Sequence, residues 1–488
     1  MSPGSDFHRG RGNPKYCRNT DQEPELTMIR TLFAALLLTV FASAGAQADE
    51  NWHRFRGPDG NGVAAESATP PVEWSGDSDN LKWKAEIPGR GSSSPIVWED
   101  KIILLTAVST GVDADGNAVE RAPAGESRPQ RGGPGGRRGG GGRGGRGGRG
   151  GGGGPKDVHE FHVVCVDRAT GDISWKTKVN EAVPHESGHS TNTFASSSAV
   201  TDGQHIYVSF GSFGIYCLDM DGNQVWEKDL GRMTTRNQFG EGASPALYGE
   251  TVVVNWDHEG DSFIVAMNAK TGEDIWRVDR DELTSWSTPV IVEHDGRVQV
   301  ITNGATRVRS YDLENGEVIW ECGGQTGNPI PTPFVMDDMA ICMTGFRANA
   351  AFAIPLSSEG DITGSDDIIW SRRDIGPYVP TGVLYKGHIY STKSSSAILT
   401  SVDASTGETV IDQTRMDGIQ SLYASLVAAN DHIYITGRNG TTIVIKHADE
   451  YDVVSSNELG EPCDATPAIV GNQILIRGSN HLFCFENQ

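Results

Sequence analysis

The stretch ASPALYGETVVVNWDHEGDSFIVAMNAKTGEDIWRVD, residues 243–279, decides the fold. It reads as four strands: SPALY, then TVVVNW after a tight turn at Gly249, SFIVAMN after the loop DHEG, and EDIWRVD after the turn AKTG. Each is five to seven residues long, rich in Val, Ile and aromatics and bounded by Gly, Asp or Asn. That pattern predicts short antiparallel strands, and no helical periodicity competes with it.

Both ends of this unit recur along the chain. A small-Ser/Thr-Pro-apolar phrase stands at Ser94, Ser244, Thr288, Thr332 and Thr466, with looser copies at Ser198, Thr381 and Ser425, eight in all. An Asp-turn-Gly phrase leads into Trp175, Trp226, Trp276 and Trp320, and reappears without Trp near Val410. The Trp spacings of 51, 50 and 44, then 50 to Trp370, suit a repeated four-stranded unit. An all-β, eight-bladed propeller of antiparallel blades follows. The last repeat, ATPAIV, NQILIR and HLFCFE, supplies only three strands, so LKWKAEI around Trp83 is expected to complete it and close the ring. Each Trp reads as packing between blades, because an indole is a large apolar surface with one donor to satisfy.

The chain has 488 residues, 64 Asp and Glu against 41 Lys and Arg, and a formal net charge of −23. Hydrophobic residues at 37%, together with 61 glycines, exclude wholesale disorder. A charge of this sign argues against a surface that tracks nucleic acid or anionic lipid. Residues 28–48, a short charged start, an apolar run over 31–41 and Ala46-Gln47-Ala48, read as a secretory signal cleaved after Ala48. The run is too short for a membrane anchor. Residues 1–27 read as an upstream extension that is not native. The expectation is therefore a periplasmic or secreted propeller over 49–488, monomeric and without a stable membrane anchor. Cys165, Cys217 and Cys484 share one strand register, where other repeats carry Ala266, Ser310 or Ser401. They read as small buried side chains rather than bridged ones.

An Arg/Gly-rich insertion, residues 109–157, interrupts the first blade. Between Arg121 and Lys156 it carries eight Arg and one Lys against Glu126, with 17 glycines between Gly132 and Gly154. Such a tract buries no apolar area and is expected to be a disordered loop. RNA binding is not favoured, because no aromatic stacking module accompanies it.

The insertion joins the second and third strands, and in a propeller those loops share a face with the blade-to-blade connections. The same loops of blades four to eight hold Arg307, Arg347, Lys393, Arg438 and Arg477 and no acidic residue. The expectation is an electropositive funnel in an acidic body, focusing field on an anionic ligand. Arg90, His189, Asn192 and Arg236 lie in connections of that face, as do Trp286, Tyr378 and Tyr423. Aromatics beside bases suit a planar anion or a sugar acid. His185-Glu-Ser-Gly-His189 matches a zinc-protease spacing, but Pro184 and Gly188 forbid the helix that spacing requires, so no metal site is assigned. No nucleophile elbow or phosphate loop occurs, and no catalytic residue is identified.

The Asp-x-x-Thr-Gly-x-x-x-Trp phrase resembles the tryptophan-docking repeats of pyrroloquinoline quinone (PQQ) dehydrogenases and of BamB-like subunits of the outer-membrane protein assembly machine. NWHRFRGPDGNG from Asn51, PYVPTGVLYKGHIYSTKSSSAIL from Pro377, ITGRNGTTIVIK from Ile435 and RGSNHLFCF from Arg477 look closer to exported bacterial PQQ-like repeat proteins. Likeness to the dehydrogenases implies PQQ and calcium in the funnel with an Asp as base, oxidising an alcohol or sugar. The chain departs from that pattern: it has no adjacent cysteine pair, little room for long functional loops, and no evident calcium set, although Asp257, Glu259 and Asp464 lie near the face concerned. Likeness to the assembly subunit implies a scaffold for proteins or extended peptides, here without a cysteine after the signal to accept lipid. The reading adopted is a non-catalytic binding or protein-interaction scaffold of the cell envelope, with a protein or an anionic envelope ligand as partner.

Overall fold

The computed structural model describes residues 51–119 and 155–487, so residues 1–50, which include the 28–48 leader, and residues 120–154 of the Arg/Gly insertion lie outside the described residues. Eight antiparallel sheets follow one another along the chain, each a meander of neighbouring strands. They form blades 1 to 7 at 96–182, 200–228, 246–280, 290–323, 334–372, 383–415 and 427–458. Blade 8 takes three strands from 468–486, and Leu81–Glu86 pairs antiparallel with His481–Glu486 to complete it. The ring is therefore closed by its own two ends, as the three-stranded last repeat required.

Burial explains why the inner strands lose the alternation of the outer ones. Thr251–Trp256 and Ser262–Asn268 are buried along nearly their whole length, because each inner strand lies between two neighbouring blades. Asp274–Arg280, at the rim, is mostly exposed and turns Trp276 inward. All six described cysteines are buried and unpaired, and burial pushes the Cys165 thiol up to about 12.

Two kinds of joint hold blade to blade. At the rim, each indole donates to a turn carbonyl of the next blade: Trp83 to Arg168 (2.9 Å), Trp175 to Met220 (3.2 Å), Trp226 to Ala269 (2.8 Å), Trp276 to Leu313 (2.7 Å) and Trp370 to Ala404 (2.9 Å). The ring lies on the turn's glycine: at Gly272 a Cβ would stand 2.8 Å from Trp226. Around the axis, the backbone N–H of seven of the eight Ser/Thr phrases donates to the hydroxyl of the next. Ser94 donates to Ser198 (2.9 Å), Ser198 to Ser244 (2.9 Å) and Ser244 to Thr288 (3.1 Å). Thr332 donates to Thr381 (3.0 Å), Thr381 to Ser425 (3.0 Å), Ser425 to Thr466 (2.9 Å), and Thr466 back to Ser94 (3.1 Å).

The junction of blades 4 and 5 makes neither joint. Thr332 Oγ1 has no partner, and Trp320 Nε1 turns to Gln299 of its own blade at 3.2 Å. Blade 5 lacks the Asp-turn-Gly phrase there, and Gly360–Asp361 instead crosses to pair parallel with Val318–Gly323. Gln299 to the Leu356 carbonyl (2.8 Å), and Asn303 to those of Pro331 (3.1 Å) and Met343 (3.0 Å), hold the junction in their place.

The segment from Asn51 runs across the inner strands beneath this axial ring. Trp52 exchanges backbone bonds with Val97 of blade 1, and the His53 carbonyl accepts from Thr201 of blade 2 at 3.0 Å. The Asn61 amide donates to Val335 of blade 5 at 3.0 Å, and Ala64 donates to Ala428 of blade 7 at 2.9 Å. It floors the central channel.

Gly272 (φ +72°) and Gly249 (φ +54°) are both left-handed, but a Cβ at Gly249 meets nothing within 4 Å. Alanine at either position costs about 1–2 kcal/mol of backbone strain. Gly272→Ala adds the collision with Trp226, so its fall in Tm should be at least twice that of Gly249→Ala by calorimetry. Equal falls would mean that the indole does not need the glycine.

Candidate functional site

A pocket of about 550 Å³ opens on the face of the blade-to-blade connections. Seven hydroxyl residues of the axial ring form its base, and Phe55 of the N-terminal segment reaches it from below. Of the residues expected from the sequence, His189, Asn192, Arg236, Trp286, Arg347, Tyr378 and Tyr423 line it. Their connections are fixed from behind. Trp286 donates from its indole to the Gly240 carbonyl (2.6 Å), and Asn192 donates to Phe239 (2.9 Å) and accepts from Ser196 (2.6 Å). Tyr378 packs on Phe346 with ring centroids 4.9 Å apart, and the Tyr423 hydroxyl accepts from Thr191 at 3.2 Å. The Arg236 and Arg347 guanidinium groups have no hydrogen-bond or ion-pair partner among the described residues.

The other five expected bases are not among the lining residues, and each has a local reason. Arg438 forms a two-pronged pair with Asp464 (2.6 and 3.0 Å) and lies 4.0 Å over the Tyr423 ring, so its charge is cancelled at the pocket edge. Arg307 bridges Glu321 and Asp361 (2.9 Å each) on the rim side of blade 4. Lys393 is exposed and donates to Gln413 at 3.0 Å. Arg90 is exposed beside the first blade, its backbone bridged to Ala107. Arg477 is 3% exposed and donates to the Ser93 hydroxyl (2.7 Å) and the Leu105 carbonyl (2.8 Å), clasping blade 8 to blade 1. Burial there lowers its pKa to about 10. The continuous basic funnel is thereby corrected to two unpaired arginines set among aromatics.

The carboxylates of this face are already engaged. Asp257 is fully buried in a pair with Arg280 (2.7 and 3.1 Å), and Glu259 accepts from Thr284 at 2.9 Å. The two carboxylates lining the pocket are Asp464, held by Arg438, and Glu241, which accepts from the Ser212 backbone (2.6 Å) and hydroxyl (2.5 Å). Enclosure by protein raises the Glu241 carboxyl to about 6 despite those bonds. The His185–His189 stretch is not helical. His185 bonds the Met233 carbonyl (2.8 Å) and Glu186 binds Thr235, while His189 turns to Thr191 (2.8 Å). Among the described residues no three His, Cys, Asp or Glu side chains gather as a metal ion would need.

Sequence reasoning missed Phe55, Phe239, Glu241 and Asn328, all of which line the pocket. For Phe55 the signal was present, since NWHRFRGPDGNG was noticed as a block, but nothing in its pattern said that it passes under the channel. In the sequence the hydroxyls mark the repeat; in the fold they also wall the site.

Closed blades, tryptophan docking and an axial pocket define a PQQ-like β-propeller. Residues 159–413, just over half of the chain, match the family described as outer membrane protein assembly factor BamB, and the chain belongs to that family. The similar solved structures include BamB from Moraxella catarrhalis (13% identity, 67% of this chain and 94% of that one, TM-score 0.47). They also include quinohemoprotein alcohol dehydrogenase from Comamonas testosteroni (9% identity, 91% and 84%, TM-score 0.57) and a europium-containing methanol dehydrogenase (8% identity, 88% and 90%, TM-score 0.55). At these identities the dehydrogenases share the fold alone. No curated protein matches.

The raised Glu241 pKa gives stability that is full below the unfolded value near 4.5 and is lost as pH rises through about 6. Glu241→Gln should therefore gain stability relative to the parent between pH 4.5 and 7.5 in urea titrations. A difference independent of pH would sink this assignment.

Proposed function

We propose that this chain is an exported, non-catalytic binding propeller of the cell envelope, whose ligand is an anion held in the axial pocket. The observation that carries the reading is the pairing pattern: the carboxylates lining the pocket are spent on Arg438 and Ser212, while Arg236 and Arg347 are unspent. With Asp464 neutralised by Arg438, the two arginines outweigh the single charge of Glu241, and a net cationic site walled by Trp286, Tyr378 and Phe346 favours a ligand with negative charge and flat apolar faces. The chain also carries no helix, among the described residues, long and apolar enough to cross a membrane.

The dehydrogenase alternative needs a quinone with calcium and a carboxylate base. PQQ would supply hydride- or electron-accepting chemistry, and calcium would need several open oxygen donors. The donor set here does not fit the pair, because Asp257 is locked on Arg280, Asp464 on Arg438 and Glu241 on Ser212. Glu241 is the one carboxylate of the lining without a cationic partner, so a single group turned onto Ser212 would have to serve both the calcium and the proton.

The purified chain, titrated with PQQ with and without calcium and assayed for dye-linked oxidation of alcohols and sugars, should give no turnover and no calcium-dependent change in absorbance. Saturable, calcium-dependent binding with turnover would reverse the reading.

A further inference from the structure

Each axial-ring hydroxyl that accepts a backbone N–H keeps its own proton. The oxygens of Ser94, Ser198, Ser244, Thr288 and their counterparts at Thr381, Ser425 and Thr466 accept one bond each. None of these seven groups donates to another of the described residues, and all seven line the pocket. A hydroxyl carries one donor and two lone pairs, so each presents an unspent proton at the base of the site.

A second observation lies on the wall between blades 4 and 5. Asn328 is 2% exposed and lines the pocket; its amide nitrogen faces the Tyr378 phenol, and its Oδ1 has no hydrogen-bond partner among the described residues. It stands at φ 57°, a conformation asparagine tolerates, beside Tyr378, whose phenol burial pushes up and Asn328 eases back down. The Arg236 guanidinium is close by, with one nitrogen 3.9 Å from where a Cβ on Gly327 would stand. A buried amide oxygen left open costs stability unless a ligand or water pairs it.

We propose, resting on the reading of this pocket as an anion site, that its ligand is an acidic saccharide, a sugar ring bearing a carboxylate. A simple oxyanion would meet the hydroxyl protons but leave Asn328 Oδ1 without a donor and the aromatic rings without a face. A neutral sugar would leave Arg236 and Arg347 unpaired. A planar acid lacking hydroxyls also fails Asn328. A sugar acid meets every open group: its hydroxyls donate as well as accept, so neighbouring ones match the open Asn328 oxygen and the ring of O–H donors. Its carboxylate pairs with the guanidinium groups, and its C–H face packs on Trp286 and Tyr378. A volume of about 550 Å³ accommodates more than one sugar residue.

The test is calorimetric titration of the purified chain with galacturonate, its trimer, the methyl-esterified trimer, acetate, inorganic phosphate and triglutamate. The expected result is saturable binding of the trimer, with the ester at least tenfold weaker. The double variant Arg236→Ser, Arg347→Ser should weaken the trimer at least tenfold. Asn328→Gly, which keeps the left-handed backbone, should do the same without lowering Tm. Acetate or phosphate binding as tightly as the trimer, with Asn328→Gly silent, would overturn the saccharide and leave the anion site standing. Triglutamate binding in place of the trimer would overturn it in favour of an acidic peptide. Failure of every probe to bind would overturn both this inference and the reading it rests on.

Discussion

A backbone N–H buried near the axis of a propeller has no strand beside it to accept its hydrogen bond, and the rest of this structure depends on how that need is met. Each blade enters from a connection, and the first buried amide of that connection must find an acceptor. The chain supplies one from the next blade, a Ser or Thr hydroxyl in the same position of the following repeat, and Thr466 returns the series to Ser94. The bond costs each blade one small polar residue. It also fixes the angle between blades, since donor and acceptor sit at equivalent places in successive repeats. The proline that follows in five of the eight phrases has no N–H of its own to satisfy, so the phrase concentrates its polar demand on one atom.

The tryptophan joints do the same at larger radius, where blades diverge and a long side chain is needed to cross the gap. An indole spans it, covers apolar surface, and places its single donor on a carbonyl of the neighbouring turn. Between hydroxyl joints inside and indole joints outside, the middle strands pack largely by apolar side chains, as the nearly wholly buried strands of blade 3 show. Closure by Leu81–Glu86 then removes the edges that a linear array of sheets would expose.

This division explains what the sequence could disclose. Joints repeat with the blade, so their residues stand out at fixed spacing: the blade count, the missing strand around Trp83 and the packing role of the tryptophans were all legible. The aromatic side of the pocket was legible too, because Trp286, Tyr378 and Tyr423 sit in connections whose face follows from strand order. Charge was not. The loops holding Arg307, Arg438 and Arg477 contain no acid, yet their partners come from 54, 26 and 384 residues away, as Asp361, Asp464 and Ser93. Local composition carries no record of such pairings. Phe55 was hidden for the same reason, since its place under the channel is set by backbone bonds to blades far along the chain.

The junction where both kinds of joint fail also contributes Asn328 to the pocket. At the junction of blades 4 and 5 the hydroxyl joint is absent and Trp320 turns back on its own blade. The connection across that junction holds Gln325, Thr326, Asn328 and Thr332, each with a buried polar side-chain atom lacking a partner. Seven closed hydroxyl joints show that this sequence can satisfy such groups, so leaving four residues of one connection unsatisfied is a local choice and not a property of the fold. Of the four, Asn328 alone lines the pocket, so its amide is the one among them that a ligand there reaches.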